Sequence, residues 1–146
     1  MIKKFLFLII VLNLMPATYA LEKTKEEKVA KFVLENMHKE YTSCYAFYKI
    51  AEESFKISKA DKSIVDGLIK SADTTLKYAH DLGEVLNFKS KDMFENNKIE
   101  IKKLNKIAKK DFNLLSKKYG FICKNLVENQ KQRIDYWENK GNKKIK

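Results

Sequence analysis

Apolar side chains recur every three or four positions along most of this chain, the spacing that places them on one face of an α-helix. The first apolar stripe begins after Thr24, which stands three residues before Glu27 as in a capping box, and it should end near Ile57. A second stripe begins near Asp61 and runs to Leu86. No proline follows residue 20, and no period-two alternation indicates a strand. The pattern predicts an all-α fold.

The region from Lys91 to about Lys140 keeps the helical spacing without a clear end, and two arrangements fit it. A single long helix would complete a three-helix bundle, although patterns of this length often hide a turn. A reversal near residues 109–112 would instead give an antiparallel bundle of four helices. The four-helix bundle is favoured because it brings Cys123 close to the height of Cys44, as a disulfide between them requires.

Residues 1–20 have the three-part order of a secretory signal peptide. Two lysines precede an apolar stretch from Phe5 to Met15, and small residues lead up to Ala20. The apolar stretch is about eleven residues long, whereas a transmembrane helix needs roughly 20. We expect cleavage after Ala20 and a periplasmic or secreted protein.

The chain carries a formal net charge of +11, which falls to +9 when the two lysines of the signal peptide are removed. Cleavage would leave a helical domain at 21–139 and a basic tail at 140–146. Such a charge inside a cell would suggest nucleic acid, but export directs it toward anionic surfaces of the envelope or an acidic protein. No nucleic-acid partner is therefore expected, and the oligomeric state stays open.

Lysines dominate one helical face of the third region. An ordinary solvated face is one interpretation, and a surface that binds anionic lipid, wall polymer or protein is the other. The predicted anionic-surface residues are Lys98, Lys102, Lys106, Lys109 and Lys117.

The chain has two cysteines, Cys44 and Cys123, and in an oxidising compartment the simplest expectation is that they form a disulfide. The closed loop of about 79 residues corresponds to a chain-entropy stabilisation on the order of 4 kcal/mol. We expect one disulfide that crosslinks two helices, and free thiols or an intermolecular disulfide are the alternative.

Aromatic residues cluster around Cys44, and two interpretations stay open. They can pack as core around the disulfide, or they can line a pocket for a small ligand. Phe47 lies off the stripe and is a candidate for exposure. The predicted pocket residues are Tyr41, Tyr45, Tyr48 and Phe55.

Glu35 and His38 have the i, i+3 spacing of carboxylate-bridged metal centres. The second copy is missing because Lys77 stands three residues before His80, so no metal and no cofactor is predicted. Both histidines are expected to be exposed, which removes the commonest general base. Without a nucleophile elbow, phosphate loop or zinc-protease motif, we expect a protein that is not an enzyme.

Together these features favour an exported helical-bundle adaptor that binds an unknown envelope protein or an anionic envelope component, with peripheral membrane contact included. Two alternatives fit the same residues. A small-ligand or lipid carrier would use the aromatic pocket. A cationic holdase chaperone would need an exposed apolar patch beside the lysines.

Overall fold

The structure is a computed structural model that describes residues 24–146, and the signal peptide predicted at 1–20 lies outside these residues. Within them the chain forms five α-helices and no strand, so the all-α prediction is confirmed. In chain order they are α1 (Lys25–Ile57), α2 (Lys62–Val85), α3 (Ser90–Ala108), α4 (Phe112–Glu128) and α5 (Gln130–Lys144).

The start of α1 follows from its sequence. Thr24 Oγ1 accepts a hydrogen bond from the Glu27 backbone N–H at 3.2 Å, and Glu27 Oε2 accepts one from the Thr24 N–H at 3.0 Å. The capping box predicted from the spacing is therefore present, and it satisfies two backbone donors at the helix N-terminus.

The core is organised around α1, which packs against each of the other four helices. Its apolar stripe is buried over most of its 33 residues. Helices α2, α3 and α4 contribute fewer buried side chains to this core. They are Ala72, Ala79, Leu104, Leu115 and Leu126.

Cys44 and Cys123 form a disulfide that joins α1 to α4, with the two Cα atoms 5.3 Å apart. Both cysteines are buried. Nearby, Tyr41 Oη donates a hydrogen bond to the Leu126 carbonyl at 3.4 Å, a second link between the same helices.

The predicted count of four helices is wrong, because residues 24–146 contain five. The reversal expected near 109–112 is present, where α3 ends at Ala108 and α4 begins at Phe112. A further break occurs at Asn129, whose backbone leaves the helical region at φ −137° and ψ 52°. The break redirects the chain so that α5 packs on α1, where the rings of Phe32 and Trp137 lie 6.0 Å apart.

Most of the residues expected to form a basic tail at 140–146 continue α5 as far as Lys144. Gly141 is buried there, and a β-carbon added to it would lie 3.1 Å from side-chain atoms of Val29 and Phe32. The division into a domain at 21–139 and a tail at 140–146 stays a prediction.

Candidate anionic-surface interface

The five lysines predicted to share one helical face lie on two helices and the turn between them. Lys98, Lys102 and Lys106 follow one another at four-residue intervals on the outer face of α3, and all three are exposed. Lys109 lies in the α3–α4 turn and Lys117 on α4. The structure therefore brings the first three into one row, whereas the reversal of the chain places Lys117 on another helix.

The inner face of α3 buries Met93, Asn97 and Leu104, which leaves the lysines in solvent. Lys98 lies 3.2 Å from Glu95 Oε1, and its Nζ is 4.2 Å from the centre of the Phe94 ring. Lys102 and Lys106 make no ion pair with any described residue. Their charges are therefore available to an external anion.

Exposed apolar side chains accompany these lysines, and sequence reasoning missed them. Phe94 and Ile99 on α3 are each more than half exposed. On α4, Leu114 is 56% exposed and Phe121 73% exposed, while Leu115 and Cys123 point into the core. The available signal was that Ile99, Leu114 and Phe121 are apolar yet fall outside the three- and four-residue spacing of the apolar residues in the region from Lys91 to Lys140.

Lys103, a neighbour of the lysine row, is held by a polar network between α1 and α3. Its Nζ donates to Glu100 Oε2 at 3.0 Å, and Ser43 Oγ donates to Glu100 Oε1 at 2.8 Å. The hydrogen bond to Glu100 raises the pKa of Lys103. A cleft of about 330 Å³ lies here, and its lining includes the polar side chains of Asn96 and Thr42.

His38 is buried, so the expectation that both histidines are exposed is wrong for it. Its ring lies 5.0 Å from the ring of Phe88, edge to face. Burial lowers the pKa of His38, and electrostatic interactions with His80 and Lys39 lower it further. At neutral pH the imidazole is therefore uncharged. Among residues 24–146, no three His, Cys, Asp or Glu side chains are grouped closely enough to hold a metal ion.

The predicted aromatic pocket residues lie in or against the core. Tyr41 and Tyr48 are buried, and Tyr45 and Phe55 are partly buried. Burial raises the pKa of Tyr41 to about 12. Phe47 is also buried, stacked at 6.4 Å on Tyr119, so its expected exposure is wrong.

Two clefts of ligand size are lined by other residues. One of about 260 Å³ lies beside Cys44 and is lined in part by Tyr119, Ile122 and Trp137. Another of about 350 Å³ lies between α1 and α5, with Val33 and Ile134 in its lining. The indole Nε1 of Trp137 is buried and has no hydrogen-bond partner among the described residues. None of the four predicted pocket residues lines either cleft.

By fold and surface, the described part of the chain is a disulfide-linked all-α protein with a lysine-rich outer face. No protein-family model, curated protein or solved structure matches it. Among the helices of residues 24–146, none combines the length and the apolar character needed to cross a membrane.

Proposed function

We propose that this is an exported, non-enzymatic binding protein that attaches to an anionic component of the cell envelope through the outer faces of α3 and α4. The observation that carries the proposal is the pair Lys102 and Lys106, which are exposed and have no ion-pair partner among the described residues. Glu95 and Glu100 are each within ion-pair distance of a different lysine on the same helix. Both glutamates of this stretch are thus paired with Lys98 and Lys103, so the charges of Lys102 and Lys106 stay uncompensated on the outer face of α3.

The size of the expected attraction follows from general electrostatics. Each lysine near an anionic membrane contributes about 1 kcal/mol. Exposed charges are screened over roughly 8 Å at physiological ionic strength. Attachment through several such lysines should therefore be reversible, strong at low salt and weak at high salt.

The test is pelleting of the purified protein with phosphatidylglycerol vesicles, and its retention on immobilised dextran sulfate, each at low and high salt. The variant Lys102/Lys106/Lys109→Glu should lose most binding to both. Lys25/Lys62/Lys70→Glu is the matched control, because it reverses three exposed lysines elsewhere and changes the net charge equally. Equal losses in the two variants, or binding that ignores salt, would contradict a specific basic face.

Export has its own measurement. Intact mass of the protein from the envelope fraction should correspond to a chain that begins at Leu21. A mass that includes residues 1–20 would contradict the predicted signal peptide.

A holdase chaperone is the second candidate, and the exposed apolar residues favour it. Phe94, Ile99, Leu114 and Phe121 supply apolar surface on the helices that carry the lysines, which such a chaperone requires. Purified protein should then suppress the aggregation of a reduced client protein. Loss of suppression in Leu114/Phe121→Ser, with retention in Ile57→Ser, would support this function, because Ile57 is more exposed than either residue but lies at the end of α1.

A further inference from the structure

We infer that α4 docks on an anionic lipid bilayer, with Leu114 and Phe121 inserted among the headgroups and Lys117, Lys118 and Lys124 beside the lipid phosphates. The inference rests on the proposed function, since it names the lipid bilayer as the anionic component. It adds apolar insertion, a contribution that lysines alone cannot make.

Two apolar side chains project from the outer face of α4. Leu114 and Phe121 are seven residues apart, which is about 10.5 Å along the helix and within about 20° of the same line on its surface. Phe121 is 73% exposed, more than any other aromatic ring among the described residues. Leu115, Cys123 and Leu126 hold the opposite face of α4 in the core. The disulfide and this packing therefore fix the outward direction of the two side chains.

Lysines on α4 lie beside these two apolar side chains. At 100° per residue, Lys117 and Lys118 fall on either side of the line from Leu114 to Phe121. Lys117 has no ion-pair partner in residues 24–146, and Lys118 Nζ lies 5.3 Å from the centre of the Tyr119 ring. Lys124 lies 3.9 Å from Glu128, but both side chains are more than half exposed, so the pair is weak and leaves Lys124 available to a phosphate.

The composition of the α4 surface favours a bilayer over a protein partner. Lysine is depleted in the cores of protein–protein interfaces, and stable interfaces bury about 1,200–2,000 Å² in total. Leu114 and Phe121 are single side chains surrounded by lysines, which does not resemble such a core. Interfacial membrane helices combine Phe and Leu with lysines, whose apolar stems lie along the membrane while the ammonium groups stay in water. The α4 surface matches that combination.

A tryptophan probe tests the insertion directly. The chain has one tryptophan, so Phe121→Trp in a Trp137→Phe background reports on position 121 alone. On phosphatidylglycerol vesicles its emission should shift to the blue and become protected from iodide, and pure phosphatidylcholine vesicles should leave it unchanged. Ile57→Trp in the same background is the control and should stay unshifted. A shift at position 57 equal to that at position 121, or no shift at 121, overturns the inference.

A binding measurement distinguishes the inference from the proposed function. Leu114/Phe121→Ser should weaken vesicle binding at least about tenfold, since tenfold corresponds to about 1.4 kcal/mol, less than full burial of one such side chain provides. It should bind dextran sulfate as the wild type does, and Ile57→Ser should behave as wild type in both assays. Circular dichroism and the melting temperature verify that each variant is folded.

The remaining outcomes are also decisive. If the serine variant binds vesicles like the wild type, docking through α4 is wrong while the lysine-based function stands. If the wild type binds dextran sulfate but not vesicles, the ligand is a non-lipid polyanion and the inference fails. If the folded wild type binds neither, both the inference and the proposed function fail.

Discussion

At the scale of single residues, the contact between Arg133 and Glu40 is the main polar link between α5 and α1. Arg133 Nε donates to Glu40 Oε2 at 3.1 Å, and its second nitrogen donates to Oε1, so the pair is bidentate. Both side chains are only about 15% exposed, and the guanidinium lies 4.4 Å from the centre of the Tyr136 ring. Arginine suits this position because its planar guanidinium group can donate to both carboxylate oxygens and can also stack on an aromatic ring.

Replacement of this arginine should therefore weaken the fold. We expect Arg133→Lys to lower the free energy of unfolding by about 1–2 kcal/mol, because a lysine cannot bind both oxygens or stack on Tyr136. Lys31→Gln is the control, since it removes an exposed pair with Glu35 and should change stability by less than about 0.5 kcal/mol. Urea unfolding of both variants checks this. Equal effects would mean that the contact contributes no more than a surface pair.

The buried imidazole of His38 makes stability depend on pH. Burial lowers its pKa from 6.5 in the folded protein, so the unfolded chain binds the proton more readily. The stabilisation that the uncharged His38 ring provides is fully present above pH 6.5. It is lost as the pH falls from 6.5 through the lowered pKa of the folded protein. We expect the urea midpoint to decrease over that range in the wild type. The decrease should largely disappear in His38→Gln and persist in His80→Gln, because burial is the largest cause of the shift.

At the scale of helices, α1 and α2 could be predicted from sequence because each has one uninterrupted apolar stripe. The break at Asn129 could not, since neither glycine nor proline marks it and the residues on both sides favour helix. Its cause is tertiary, namely the packing of Trp137 and Gly141 of α5 on α1. The same limit applies to the candidate site. The apolar spacing in the region from Lys91 to Lys140 includes Phe94, yet more than half of this side chain is exposed. Leu114 and Phe121 fall outside that spacing, which was the one sign in the sequence that they face solvent.

Two glycines in helices should respond in opposite directions to substitution. A β-carbon added to Gly67 of α2 would meet no atom within 4 Å, so Gly67→Ala should stabilise the protein by about 0.5–1 kcal/mol through helix propensity alone. A β-carbon added to Gly141 of α5 would instead lie 3.1 Å from side-chain atoms of Val29 and Phe32. Gly141→Leu should therefore destabilise the protein by about 1–3 kcal/mol through overpacking.

Urea midpoints at unchanged m-value provide the measurement for both glycines. A neutral Gly141→Leu would mean that the C-terminal turns of α5 are not held against α1.

At the scale of the whole molecule, α1 organises the fold and the disulfide closes it. The loop between Cys44 and Cys123 contains all of α2 and α3, with a sequence separation of 79. Both helices also pack on α1, so the disulfide joins segments that the core already holds together. Its contribution is then mainly to restrict the unfolded chain, and the folded packing of the other helices should survive without it at low temperature.

Reduction of the wild type, which keeps both sulfur atoms in the core, should lower the free energy of unfolding by up to about 4 kcal/mol. The helical circular-dichroism spectrum at low temperature should change little.

The double variant Cys44/Cys123→Ala should lower the free energy of unfolding somewhat more than reduction does. It also removes buried sulfur from two positions that are fully packed. Since both cysteines are buried, reduction of the folded protein should be slow without denaturant. If reduction leaves the melting temperature unchanged, the disulfide does not stabilise the protein by reducing the conformational entropy of the unfolded chain. If reduction abolishes the helical signal at low temperature, the packing on α1 is too weak to hold the fold alone.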